Sequence, residues 1–142
     1  MDIPRTDLTT RVLEKALNGL STRAAAISNN VANVDTPNFK TSEVVFEQDL
    51  QSALRRGSNP NDLQMAVTDQ GHLRGFAPPS VDGVQARAIP MLNTTMRNDG
   101  NNVDIEREMA RLAETQLSFQ ATTQMLNLKY QQLRQAIWEG KR

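Results

Sequence analysis

The feature that most constrains this chain is a pair of heptad stripes, one at each end. From about Asp7 to Val34, apolar side chains recur at Leu13, Leu17, Leu20, Ala24, Ile27, Val31 and Val34, in alternating steps of four and three. The C-terminal segment repeats the pattern at Ile105, Met109, Leu112, Gln116, Phe119, Thr123, Leu126, Tyr130, Leu133 and Ile137, with polar interruptions at Gln116 and Thr123. Spacing near 3.5 residues lines such positions along one side of a helix and favours wrapping on a second helix. At the α-helical rise the two segments span roughly 42 and 48 Å. Their similar lengths predict a mainly α fold whose N- and C-terminal helices pair as an antiparallel coiled coil.

Local signals bound both helices. Thr6 or Asp7 can cap the first, and Thr36-Pro37 ends it, because proline pushes the preceding residue out of the helical region. Asn101 or Asn102 is the expected cap of the second, with Asp104, Glu106 and Glu108 in the first turns, where the helix dipole favours acid. Five of the seven glycines and four of the six prolines fall between Gly57 and Gly100. The predicted organisation is a coiled-coil helix over 1–36, an Asn/Pro turn and short helix over 37–57, an irregular Gly/Pro-rich middle over 58–101, and a second coiled-coil helix over 102–142.

Two paired helices bury only one side each. Ala16, Ala25, Ala26, Ala110, Ala113, Leu117, Ala121 and Leu128 lie partly off the main seam, so either partner subunits or the middle region must cover them. With so thin a core, the free monomer is expected to be only partly ordered.

Composition narrows the function. Sixteen basic residues balance sixteen acidic ones, which argues against nucleic-acid binding or a polybasic membrane anchor. Cysteine is absent and there is one histidine, so disulfides, thiolate nucleophiles and two-His or Cys-ligated zinc sites are excluded. No apolar run is long enough for a transmembrane helix, and the N-terminal residues lack the apolar region of a secretory signal. His72 lies near Asp69 without a nucleophile or metal cluster beside it, so a packing role is expected. No catalytic, cofactor-binding or metal residue is predicted, and the chain does not read as an enzyme.

The most specific string runs from Ser28 to Lys40: Asn29, Asn30, Ala32, Asn33, Asp35, Thr36, Pro37, Asn38, Phe39 and Lys40 crowd into it. Asparagine tolerates the left-handed conformation, and Asx side chains bond nearby backbone amides. The physical reading is a rigid turn that sets the direction in which the chain leaves the first helix.

This string resembles the N-terminal signature of bacterial flagellar axial proteins, the rod, hook and hook-filament class. Asn30, Ala32, Asn33, Thr36, Phe39 and Lys40 match that signature, and the Asp35-Thr36-Pro37 version is similar to its proximal-rod branch. Ser42–Glu47 with Leu50 and Leu54 resembles the short helical stretch that follows the motif. Val67–Leu73 resembles a Thr–His segment, and Asp99–Met109 the entry into the C-terminal helix. Asn38 stands where the family usually has glycine, and asparagine is the next-best residue for positive φ.

The resemblance implies a structural subunit of the proximal rod of the flagellar basal body. Such a subunit self-assembles through its terminal helices, and links the MS ring and export gate to the distal rod for torque transmission and motility. Implied partners are other copies of itself, the rod proteins FlgC and FliE, and MS-ring and export-gate proteins. No cofactor, nucleic acid or direct membrane span is implied. The implied location is the rod on the periplasmic side, reached through the flagellar type III apparatus without signal cleavage. The assembly seam would comprise Leu13, Leu17, Leu20, Ile27 and Val31 with Ile105, Met109, Leu112, Phe119, Leu126, Tyr130, Leu133 and Ile137. The heptads alone leave a second class open, a cytoplasmic helical adaptor or regulator gripping a client through the same seams. The Asn-rich turn discriminates, since an adaptor has no need of that composition beside a Thr-Pro stop.

Overall fold

The elements run in the order α1 (Leu8–Ala32), β1 (Ser42–Val45), α2 (Glu47–Gly57), a 3-10 turn (Val81–Gly83), β2 (Arg87–Pro90) and α3 (Ile105–Glu139). The computed structural model describes residues 7–57, 80–94 and 96–140. His72, Asp69 and the Thr–His segment lie outside the described residues. So do Thr6, and Lys141 and Arg142 beyond α3.

The two long helices pack against each other with opposite directions. Near one end Asn30 of α1 meets Glu108 of α3, with Nδ2 donating to Oε2 at 2.9 Å. Near the other, Lys129 Nζ lies 2.8 Å from the Asp7 carboxylate. The mainly α reading with paired terminal helices therefore holds. The expected equality of lengths does not: α1 has 25 residues and α3 has 35, roughly 37 against 52 Å. Because Lys129 lies beside the residue preceding α1, the last ten residues of α3 run on past it. Every side chain from Gln131 to Glu139 is exposed.

Two small apolar clusters fix the remaining elements to α1. Leu20 packs with Val44 and Phe46. Leu50, Ala53, Val81 and Val84 form the second cluster, joined by Val12, Ala16 and Leu54. The approach is tight at Gly19, where a Cβ would lie 2.5 Å from the Phe46 ring. Arg23 covers the same ring with its guanidinium 5.0 Å from the centroid, and donates to Val44 O at 3.1 Å and Glu47 Oε2 at 2.7 Å. At the start of α1, Arg11 forms a two-pronged pair with the Asp82 carboxylate, while Lys15 donates to Asp82 O at 2.7 Å and Val84 O at 3.2 Å. Those contacts dock the 3-10 turn.

Residues 42–45 depart from the short helical stretch that the resemblance implied. They form a strand, antiparallel to β2, with Ser42 opposite Pro90 and Val45 opposite Arg87. The helix begins only at Glu47. Val44 and Val45 are β-branched and suit a strand. Backbone partners on both sides complete the case: β2 on one edge, and on the other the Asn30 carboxamide, which bonds both Ser42 N and Ser42 O at 3.0 Å. The 3-10 turn and β2 also place regular structure inside the segment expected to be irregular.

Candidate functional site

The Asn-rich turn is built from the end of α1 and the approach to α3. Asn33 caps α1, its N–H donating to Asn29 O and Asn30 O, each at 3.2 Å. The chain then turns through Thr36 N to Asn33 O at 3.1 Å and Phe39 N to Thr36 O at 3.3 Å. Asn38 has φ 59°, the left-handed conformation expected of a residue standing in for glycine. Its N–H donates to Asp99 O at 3.0 Å, which draws the second turn against the first. Gly100 faces it with φ 81°, where a Cβ would sit 2.6 Å from Asn38 Oδ1. Lys40 Nζ donates to Thr94 O and Gly100 O, both at 2.8 Å. Of the other motif residues, Ala32, Asp35, Thr36 and Pro37 are exposed and Phe39 is half-buried. Asp35 lies 3.5 Å from Arg97.

Three buried carboxamides join these turns. Asn101 is completely buried, and its Nδ2 lies within bonding distance of Asn33 O, Val34 O and Thr36 O at 3.1, 2.9 and 2.9 Å. Its Oδ1 accepts from Val103 N at 2.6 Å. Asn102 stands between two strand-flanking backbones: Thr41 N donates to its Oδ1 at 2.7 Å, and its Nδ2 donates to Met91 O at 2.9 Å. Asn30, 1% exposed, bonds β1 and Glu108 at once. Buried amides satisfied at both ends specify one arrangement, because any other leaves polar groups unpaired.

Sequence reasoning found Asn30 and Asn38 but assigned Asn101 and Asn102 to capping. The cap of α3 is Asp104, whose side chain accepts from Arg107 N at 3.2 Å. Two adjacent asparagines ahead of an acid that can itself cap the helix were the available signal. Asp7 precedes α1 without a side-chain cap bond, because its carboxylate is engaged by Lys129.

Along the α1 stripe Leu20 and Ile27 are buried, Leu20 against Val44 and Phe46, and Leu13, Leu17 and Val31 are half-buried. On α3 it is displaced. Of the column that repeats every seven residues, Leu112 and Leu126 are half-buried, while Ile105, Phe119 and Leu133 are exposed. Beside it Glu108 and Thr115 are buried and Thr122 and Lys129 half-buried, whereas Met109, Gln116 and Tyr130 are exposed and Thr123 is half-buried. Glu108 and Thr115 are 3% and 4% exposed, while Ile105 and Met109 are 47% and 50% exposed. Each of these four polar side chains has a partner: Glu108 in Asn30, Lys129 in Asp7, Thr115 in Arg111 O at 2.7 Å and Thr122 in Ser118 O at 2.8 Å. The Tyr130 hydroxyl reaches α1, donating to Glu14 Oε1 at 3.2 Å. Phe119, Leu133 and Ile137 are also exposed, the last two because α3 outruns α1.

Electrostatics reinforce the far end of the pair. The Lys129 ammonium holds the Asp7 carboxyl below its usual range, and Asp82 raises the Arg11 guanidinium. Partial desolvation, followed by the Glu14 carboxylate, pushes the Tyr130 phenol up. A groove of about 280 Å³ between α1, β1 and α3 is lined by Arg23, Glu43, Glu108 and Arg111 among others. There Arg111 pairs with Glu43 at 3.4 Å and Glu108 at 3.6 Å. Among the described residues no cluster of His, Cys, Asp or Glu could hold a metal ion, and no helix is long and apolar enough to cross a membrane.

The two long helices are keyed at one end by a buried amide cluster, and apolar side chains remain exposed along one of them. The family model described as flagella basal body rod protein matches residues 11–40, which comprise most of α1 and the whole Asn-rich turn. The chain is 38% identical over 107 residues to the flagellar basal body rod protein FlgB of Borreliella burgdorferi, covering 75% of this chain and 78% of that protein. It is 33% identical over 129 residues to FlgB of Bacillus subtilis, covering 91% and 92%, and 27% identical over 128 residues to FlgB of Escherichia coli, covering 88% and 89%. The chain belongs to the flagellar basal body rod protein FlgB family.

Proposed function

We propose that this chain is a structural subunit of the proximal rod, linking the MS ring and export gate to the distal rod, transmitting torque and carrying no chemistry of its own. Family membership supports the rod role over a cytoplasmic adaptor. The observation that carries the finer reading is the far end of α3. There Leu133, Ile137 and Trp138 are 43%, 70% and 76% exposed on a helix that has run past its partner, a surface suited to further subunits. In this reading the subunit self-assembles through its terminal helices and packs against FlgC, FliE, MS-ring and export-gate proteins. It reaches the periplasmic side through the flagellar type III apparatus without signal cleavage. The Asn-rich turn, from Asn30 to Lys40, holds the two helices at a set angle, and the helical seams take the neighbours.

The test is a deletion strain complemented with the intact gene, scored for swimming and for basal bodies by electron microscopy. Loss of swimming with MS rings present but no rod is the expected outcome. Complete rods in the deletion strain would overturn the reading.

A further inference from the structure

Of the twelve asparagines in the chain, Asn18 alone precedes a glycine. Packing fixes that glycine: Gly19 is buried, and a Cβ there would lie 2.5 Å from the Phe46 ring. Glycine has no side chain to hold its backbone nitrogen away from the preceding carboxamide, and its backbone is the freest to turn toward it. The contact between α1 and Phe46 therefore builds a reactive dipeptide into the middle of α1. Asn18 itself is exposed, and its carboxamide has no hydrogen-bond partner among the described residues, so neither burial nor a bond withholds it. What withholds it is the helix. Ring closure would join Gly19 N to Asn18 Cγ, and a five-membered imide forces the intervening backbone out of helical geometry. Inside α1 the Gly19 N–H also belongs to the helical ladder and is not free to react.

We propose that Asn18-Gly19 is a deamidation site gated by the folding of α1. In the unfolded chain the Gly19 nitrogen gives its proton to a solvent base and attacks Asn18 Cγ. The Cγ–Nδ2 bond breaks, and ammonia leaves with a proton from water. Water then adds to one carbonyl of the resulting succinimide. Opening one carbon–nitrogen bond gives aspartate, and opening the other gives isoaspartate, whose main chain runs through Cβ. That extra main-chain carbon falls immediately before Gly19 and Leu20, where α1 packs on Val44 and Phe46, and it breaks the helical ladder there. A chain that has folded keeps Asn18, and a chain held unfolded acquires a mark that prevents α1 from re-forming. The inference is independent of the rod reading.

The test incubates the full chain at mildly alkaline pH in buffer or in concentrated urea. Trypsin then releases Ala16–Arg23 by cutting after Lys15 and Arg23. Mass spectrometry is expected to show the gain from NH2 to OH at Asn18 about tenfold faster or more in urea, since the folded chain reacts only through local opening of α1. Equal rates in the two solutions, or faster conversion at Asn29 than at Asn18 in urea, would overturn the proposal. When urea-aged chain is returned to buffer, isoaspartate is expected in the fraction that fails to refold; equal abundance in the refolded fraction would overturn the mark. Asn18→Gln, whose longer side chain would need a six-membered ring, is expected to keep the wild-type melting temperature and to refold fully after the same ageing. A loss of refolding equal to that of the wild type would show that the damage lies elsewhere.

Discussion

The two ends of the α1–α3 pair contrast sharply. At the turn end, Asn30, Asn101 and Asn102 are nearly or fully buried, and their carboxamides bond backbone from the end of α1, β1 and the approaches to β2 and α3. At the far end, among the described residues, α3 continues alone past Asp7, with Leu133, Ile137 and Trp138 exposed. The difference teaches where this subunit stores its shape and where it keeps its surface. A polar network is rigid because every departure leaves a buried group unpaired. An apolar helix end holds no such constraint and gains most by finding a partner.

The largest effect that would break the contrast is expected at Asn101. Asn101→Leu removes the donors to three carbonyls and the acceptor for Val103 N, at a cost of about 2–4 kcal/mol in urea unfolding. A loss below about 1 kcal/mol would show that the turn end is not held by this amide. Next comes Leu126→Asp, which puts a carboxylate into a half-buried position and costs about 1–2 kcal/mol of burial before desolvation. Export or accumulation is expected to continue while rods and swimming are lost; normal swimming would falsify the α3 seam. Leu128→Asp, on an exposed position, is expected to leave the melting temperature of the purified chain unchanged.

Asn38 supplies a finer test of the turn end. Asn38→Gly keeps the left-handed backbone available and is expected to change stability by under about 0.5 kcal/mol, whereas Asn38→Val costs about 1–3 kcal/mol there. Equal melting temperatures for the two variants would show that φ at this position is not held. Gly19→Ala is expected to cost about 1–3 kcal/mol, because the added Cβ meets the Phe46 ring. Wild-type stability would place that ring elsewhere.

The smallest effect concerns the far end. The folded-state pKa of Asp7 lies below its ordinary 3.8, so its pairing with Lys129 contributes fully above that value and is lost as pH falls through the depressed one. Amide exchange in the first turn of α1 is expected to accelerate below about pH 4, before the Asn101 region responds. Simultaneous loosening of both ends would remove the contrast. Lys129→Ala is expected to reproduce the acid effect at pH 7. Lys129 falls outside the apolar pattern, and the reason it matters is its ammonium 2.8 Å from the Asp7 carboxylate.

Much of this molecule was legible because its signals are local. Heptad spacing marks α1 and α3. Pro37 and the asparagines mark the turn, and Asn38 announces a left-handed residue because its own side chain tolerates that conformation. What local signals could not reach were pairings made at long range. Ser42–Val45 became a strand because β2 and the Asn30 carboxamide arrive on its two edges, from 45 residues downstream and 12 upstream. The Asn101 and Asn102 amides could not be distinguished from caps until the carbonyls they bond were in place.

The sequence by itself determined two long amphipathic helices, the turn between them and the absence of cysteine chemistry, because each depends on residue type and spacing along one chain. Only the tertiary structure decided which face of α3 meets α1. Judged by apolarity, the column with Met109 and Ile137 outranks the column with Glu108 and Lys129. Burial is governed instead by whether each polar group finds its partner, and Asn30 and Asp7 supply those partners from another helix.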